Sequence, residues 1–258
     1  MLTVRDLCVG YRDGQLVLND LGFSLERGQI LSILGPNGVG KTTLLRCLNA
    51  MIRPWAGVVQ VEEMDVFRSG RADIAKKLGY VAQRSEAGRV SVFDAVLLGR
   101  KPHLRWRVSR EDLTKVDAIL NRLGLAHLAL RHVNEMSGGE WQKVCIARAL
   151  VQEPRVLLLD EPTSSLDLKN QLDILETIRR VIREHEIIAV LTMHDLNLAF
   201  RFTDRFVFLK QGRIFAQGVP EEATAEMVAA VYGVHVDILK YNSQVLIVPH
   251  QLSGSPLP

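Results

Sequence analysis

The sequence predicts an α/β fold: a parallel sheet around a glycine-rich loop, further strands before it, and a helical region inserted within it. Three observations carry this. A short apolar run, Gln29-Ile30-Leu31-Ser32-Ile33-Leu34, leads into a glycine-rich loop, and Thr43 to Met51 follows with helical character. Residues 155 to 192 read strand, helix, strand, the spacing of a parallel crossover unit. Between these, from Val90 to about Val151, strand signals give way to helical periodicity.

In chain order, residues 2 to 34 alternate apolar and polar positions, with turns at Asp13-Gly14 and Arg27-Gly28, and predict strands. A helix after the loop stops near Pro54. Gly57 to Val61 is a strand, as is Leu78 to Ala82, which ends at Gln83. Ser91 to Leu98 begins a helix, with Ser91 as its N-cap. Glu111 to Leu123 has its apolar residues on one face, and Gly124 ends it. A helix spans Glu140 to Leu150. Arg155 to Asp160 and Ile187 to Thr192 have buried-strand composition, with an amphipathic helix from Leu168 to Glu184 between them. Arg205 to Gln217 predicts a hairpin turning at Gln211-Gly212, and residues 221 to 232 a helix. One domain over 1–240 is expected, with the helical insertion at about 88–152. Residues 241–258 are expected to form a C-terminal strand and a disordered tail, Ser253 to Pro258.

The loop itself names a ligand. Gly35-Pro36-Asn37-Gly38-Val39-Gly40-Lys41-Thr42-Thr43 fits GxxxxGK[ST] at every fixed position. Glycines let backbone N–H groups surround phosphate oxygens. Lys41 offers a point charge to the β- and γ-phosphates, and the Thr42 hydroxyl suits magnesium. Strand, loop, helix sets the phosphate at the positive end of the helix. The expected ligands are a nucleoside triphosphate and Mg2+.

Bulk properties narrow the setting. At 258 residues the chain can bury a substantial core. No apolar run approaches the roughly 18 residues that span a bilayer, and Met1 to Asp6 lacks a signal-peptide core, so the chain is expected in the cytosol. The net charge of +3 is spread over many charges of both signs, which argues against nucleic-acid binding. One local basic stretch, Arg100 to Arg107, reads either as a solvated loop or as a surface for acidic partners or lipid headgroups. Cys8, Cys47 and Cys145 form no CxxC pair and lie in apolar patterns, which argues against structural zinc and for small core residues.

Two further motifs complete a site. Val156 to Leu159 is an apolar strand ending in Asp160-Glu161-Pro162. This is how phosphate-loop enzymes set a carboxylate beside magnesium. Asp160 is expected to bind the ion and Glu161 to act as general base toward the attacking water. Met136-Ser137-Gly138-Gly139-Glu140 offers backbone N–H groups and a hydroxyl to an anion at a helix start.

Phosphate loop, Ser137-Gly138-Gly139-Glu140 turn, acidic strand end, Ser164-Ser165-Leu166-Asp167 and Thr192-Met193-His194-Asp195 occur in the order of an ATP-binding cassette (ABC) ATPase. The chain resembles that family over roughly residues 2 to 220. The resemblance implies a P-loop NTPase core with an N-terminal antiparallel β subdomain and an inserted α-helical subdomain. It implies that Tyr11 stacks on adenine and that Gln83 reaches magnesium and senses a partner. His194 would contact the γ-phosphate, and Asp167 would link two sites across a dimer. It also implies that Ser137 and Gly139 of one chain close on the nucleotide held by Lys41 of a second copy. Met136 and Glu140 depart from the commonest signature, Leu and Gln, and Ser165 stands where Ala is common.

Val92 to Leu98, Gly99-Arg100-Lys101-Pro102-His103 and His194 to Ala199 resemble importer ATPases for iron–siderophore complexes, haem and cobalamin. That implies a permease dimer, a substrate-binding protein and a place on the cytoplasmic face of the membrane, with the helix from Ser91 against the permease. Molybdate and tungstate importers have similar cassettes. A soluble ABC ATPase of DNA repair or translation is disfavoured by the absence of a second cassette or coiled-coil arm. The turn at Ser137 and His194 argue against a phosphate-loop kinase or GTPase.

Overall fold

The structure is a computed structural model describing residues 1–11, 14–83, 88–104, 106–242 and 244–250. Asp13 of the first expected turn, Arg105 of the basic stretch, and the tail from Ser253 lie outside the described residues.

Three strands precede the loop: β1 Leu2–Gly10, β2 Leu16–Leu25 and β3 Ile30–Leu34. Helix α1, Lys41–Leu48, follows, then β4 Ala56–Val61, β5 Met64–Asp65, α2 Arg71–Lys77 and β6 Leu78–Val81. The helical stretch holds α3 Val92–Leu97, α4 Arg110–Arg122 and α5 Gly138–Leu150. Strand β7 Val156–Asp160, α6 Leu168–Glu184 and β8 Ile188–Thr192 form the crossover unit. The chain continues as α7 Leu196–Phe202, β9 Arg205–Lys210, β10 Arg213–Gly218, α8 Ala225–Tyr232, β11 Val236–Tyr241 and β12 Gln244–Pro249.

The main sheet has the order β10-β9-β3-β8-β7-β6. All its neighbours are parallel except β10, which turns back from β9 at Gln211-Gly212, both with positive φ. Strands β3, β7 and β8 are buried at every residue, as a sheet covered on both faces requires. One face packs on α1 and the antiparallel sheet β2-β1-β4-β5 through Leu31, Ile33, Leu158 and Val190. The other packs on α5 and α6 through Leu157, Leu159, Ala189 and Leu191. Alternate residues of one strand thus feed two cores.

Local signals account for the helix ends. Ser91 and Asp167 accept from the N–H groups of Asp94 and Asn170, capping α3 and α6. Ser109 and Asp112 form a reciprocal capping box at α4, and Ser137 and Glu140 another at α5, which therefore starts at Gly138, two residues before the expected Glu140. Helix α1 ends at Leu48 rather than near Pro54, because the chain turns at Ala50 (φ 55). The helix expected over 221–232 divides into a 3-10 turn at Pro220–Glu222 and α8, since Thr224 caps the latter. The C-terminal strand belongs to the hairpin β11–β12, which Asn197 of α7 ties down. Its side chain accepts the Ile247 N–H (2.7 Å) and donates to the Ile247 carbonyl (3.1 Å).

Candidate active site

The site lies along the carboxyl edge of the main sheet. Thr192 pairs with Ile33 and with Asp160, so β3, β8 and β7 end level with one another. Val81 pairs with Leu159, which brings the end of β6 beside them. The residues that follow these four strands are therefore neighbours in space although Gly35 and Met193 lie about 160 positions apart in the chain.

The loop after β3 needs its glycines. Gly35 has φ 147, and a Cβ there would lie 2.5 Å from the Leu209 carbonyl oxygen. Gly40 has φ 109, and a Cβ there would lie 2.5 Å from Leu18 Cδ2. The Lys41 ammonium points back into the loop and donates to the carbonyls of Gly35 (2.8 Å) and Pro36 (3.1 Å). Burial pushes the Lys41 pKa down, while the carboxylates of Glu161 and Asp160 act in the opposite direction.

Asp160 is 2% exposed, and a buried carboxylate needs partners. Its Oδ1 accepts from the hydroxyls of Thr192 (2.8 Å) and Thr42 (3.1 Å), and its Oδ2 from Tyr80 (3.5 Å). The Thr42 hydroxyl beside this carboxylate is a hard, all-oxygen donor pair of the kind magnesium takes.

Glu161 sits at φ 48, a left-handed conformation costly for a residue with a Cβ. The Thr192 hydroxyl holds it there by accepting the Glu161 N–H at 2.8 Å. The bend aims the carboxylate between two side chains. Gln83 donates to Oε2 at 2.5 Å, and His194 Nε2 lies 2.5 Å from Oε1. Lys41, Thr42, Gln83, Asp160, Glu161 and His194 thus meet in one cluster.

Beside the loop is a cleft of about 340 Å³ whose walls include Tyr11, Gln15, Asn37, Gly38, Thr43 and Glu161. Tyr11 is 43% exposed, and its hydroxyl lies 3.2 Å from Thr43 Oγ1. Its ring therefore borders the cleft. Among the described residues, the turn Ser137-Gly138-Gly139 does not line this cleft. It packs on the start of α6 instead: a Cβ on Gly139 would lie 2.9 Å from Asn170 Oδ1, and Asp167 accepts from Asn170 Nδ2 at 2.9 Å. The chain places the two halves of the expected constellation in different regions.

Two expectations change. Arg100 does not belong to a solvent-facing basic patch. It is 4% exposed and paired with Asp112 and Glu153, whereas Arg107 is exposed. Cys47 and Cys145 are buried as expected, with burial pushing the Cys47 thiol up to about 12, but Cys8 is only partly buried. Sequence reasoning missed the role of Thr192, which joins Asp160 to Glu161, and that of Tyr80. Thr192 stood inside a motif and Tyr80 inside an expected strand, yet only strand register gives them partners.

Comparison with known proteins gives the family. Residues 18–164 match the family model described as ABC transporter. An uncharacterized ABC transporter ATP-binding protein of Methanocaldococcus jannaschii is 47% identical, over 96% of this chain and 98% of its own. The ferric enterobactin transport ATP-binding protein of Escherichia coli is 35% identical over 98% of this chain and 91% of its own. A phosphonates import ATP-binding protein of Nitratidesulfovibrio vulgaris is 37% identical over 90% and 91%. Among solved structures, an inward-facing metal-chelate type ABC transporter superposes with a TM-score of 0.84 at 30% identity, covering 98% of both chains. A dimeric post-hydrolysis cassette bound to ADP and Pi gives 0.75 at 27%, over 85% of this chain and 99% of that one. The chain belongs to the ABC transporter family, as an ATP-binding cassette whose chemistry is ATP hydrolysis.

Proposed function

We propose that this chain is the ATP-hydrolysing subunit of an importer, working as a pair of copies on the cytoplasmic face of a membrane to drive a permease dimer. The observation that carries the chemistry is the cluster of Lys41, Thr42, Asp160, Glu161, Gln83 and His194 at one sheet edge. Lys41 and the loop from Gly35 to Thr43 hold the phosphates. Thr42, Asp160 and Gln83 would hold Mg2+, which would supply positive charge to the phosphate oxygens. Glu161 takes the proton of the attacking water, while Gln83 and His194 fix its two carboxylate oxygens. His194 stands one side chain away, positioned to reach the γ-phosphate, and Tyr11 offers its ring to adenine. Ser137, Gly138 and Gly139, held together by the α5 capping box, serve the nucleotide of the second copy, with Asp167 beside them.

A permease partner is supported by a groove of about 650 Å³ where the chain leaves α3. It is lined by Arg71, Tyr80, Leu98, Lys101, Pro102 and Arg148, with Leu98 59% exposed. An apolar side chain on a rim bearing three cations fits a cytoplasmic helix of a permease, apolar on one face and acidic at its edge. No helix among the described residues is long and apolar enough to cross a membrane, so the membrane contact is assigned to that partner.

For cargo we propose a metal chelate: iron–siderophore, haem or cobalamin, delivered by a substrate-binding protein. The ferric enterobactin relative and the full-length superposition on a metal-chelate type transporter support this. Phosphonate is the second reading, favoured by the 37% identical relative named for it. Pull-down of the tagged chain from detergent-solubilised membranes of its source, followed by mass spectrometry, tests the reading. A permease is expected; ribosomes or repair proteins in its place would overturn it. Uptake of ferric siderophore against phosphonate by cells lacking the chain separates the two cargoes.

A further inference from the structure

The segment Gly99-Arg100-Lys101-Pro102-His103 is built onto the far end of α5. Gly99 lies so close that a Cβ would fall 2.6 Å from Val151 Cγ1 and closer still to the Arg148 carbonyl. The Arg100 guanidinium donates through Nη1 to the Val151 carbonyl (2.8 Å) and to Glu153 (2.9 Å), and through Nε to Asp112 on α4 (2.9 Å). Lys115 of α4 meets the same Glu153 oxygen at 2.8 Å. His103 Nε2 lies 2.9 Å from the Gln152 carbonyl. Gln152 in turn donates to the Leu78 carbonyl (2.8 Å) and to that of Ala75, at the α2–β6 junction. The carbonyls at the end of a helix lack partners within it. Here two consecutive ones are taken by two side chains of one short motif.

The other end of α5 is the turn at Ser137. Between the ends run 13 residues, Gly138–Leu150, with no proline and with glycine only at the first two positions. Such a helix is a stiff rod of about 20 Å. Leu98, Lys101, Pro102 and Arg148 also line the groove described above. The groove wall and the end of the rod are therefore one piece. A buried ion pair is a weak source of stability, and apolar residues would serve packing as well.

We propose that Arg100, held by Asp112, is a positioning residue that fixes α5 to the groove wall, so that displacement at the groove moves the Ser137 turn and sets the rate of ATP hydrolysis. The inference rests on the reading that Ser137 serves a second copy's nucleotide.

The test uses the full chain with Mg-ATP. Wild type is compared with Arg100→Gln, Asp112→Asn, Arg100→Lys and Ser137→Ala by ATP titration, kcat and KM, thermal midpoint, and hydrogen exchange. For Arg100→Gln the expected result is an ATP Kd within about 2-fold of wild type and a kcat reduced about 10-fold. Amide exchange should rise at residues 137–141 while β3 and β7 stay protected. Asp112→Asn should give the same pattern at smaller size, and it carries the test if Arg100→Gln does not fold. Arg100→Lys keeps the charge but loses the fork, and should recover only part of kcat. Unchanged kcat and unchanged exchange at 137–141 would overturn the tie. So would a kcat loss matched by an equal loss of folded fraction. Ser137→Ala separates the two ideas. If it turns over like wild type, the reading of Ser137 fails. If it is slow while Arg100→Gln is normal, only the tie fails.

Discussion

At the residue scale, Glu161 and Thr192 brace the end of β7, where the proposed chemistry takes place. Glu161 occupies a strained left-handed bend and has both carboxylate oxygens engaged, by Gln83 and His194. Replacing it with Gln keeps the shape and removes the carboxylate proposed as the base. We expect ATP affinity to persist and turnover to fall about 10²–10⁴-fold, read by nucleotide titration and phosphate release. Near-normal turnover would take Glu161 out of that role. Thr192 is fully buried and spends its hydroxyl twice, donating to Asp160 and accepting from the Glu161 N–H. Thr192→Val has nearly the same volume but leaves that N–H unsatisfied. The expected cost is about 1–3 kcal/mol of stability, with a turnover loss of at least about 10-fold from misplacing the base. Thermal unfolding and kinetics on one preparation check both; if neither moves, Thr192 is not the brace.

At the element scale, α4 is pinned by its own first turn. The Asp112 carboxyl is held down to about 2 by hydrogen bonds from Ser109 first and Arg100 second. Its ordinary value is 3.8, so the unfolded chain takes up the proton more readily than the folded one. The stabilisation is present in full above about pH 5 and is lost as pH falls through about 2; it is worth about 2 kcal/mol. Asp112→Asn should therefore lower the unfolding free energy at pH 7, and the gap to wild type should narrow steadily as pH falls from about 5 to 2. A gap that stays constant over that range would place the stabilisation elsewhere. Elements of this kind were legible where one signal dominated. The strand β7 is a run of buried apolar residues, and α6 carries one apolar stripe behind an Asp cap, so both were readable to within a residue. The end of α1 and the hairpin β11–β12 were not. The first is set by a turn at Ala50, the second by a turn at Asn242 with no glycine to mark it, and both depend on packing against other elements.

At the scale of the whole molecule, sequence order placed Gln83, Asp160, Glu161 and His194 in one list, and sheet register turned that list into a cluster. Register also brought in Thr192, whose partners lie on a neighbouring strand. Tyr11, Asn37 and Glu161 line the cleft beside the loop, while the Ser137 turn lies outside it, packed on the start of α6 beside Asp167. On the proposed reading the second wall of that cleft comes from another copy. Two copies related by a two-fold axis would bring each Ser137 turn to the other's cleft. ATP would then act as the adhesive, because its phosphates would touch both chains. Blocking hydrolysis should trap that state. Glu161→Gln with Mg-ATP is expected to double in mass by light scattering, and to return to the monomer with ADP. Ser137→Ala added to Glu161→Gln should stay monomeric, since its partner contact is gone. The wild-type rate per chain should rise with protein concentration, because half of each site arrives by association. A rate per chain that stays flat across a hundredfold dilution, together with no ATP-induced dimer, would mean that one copy hydrolyses ATP alone.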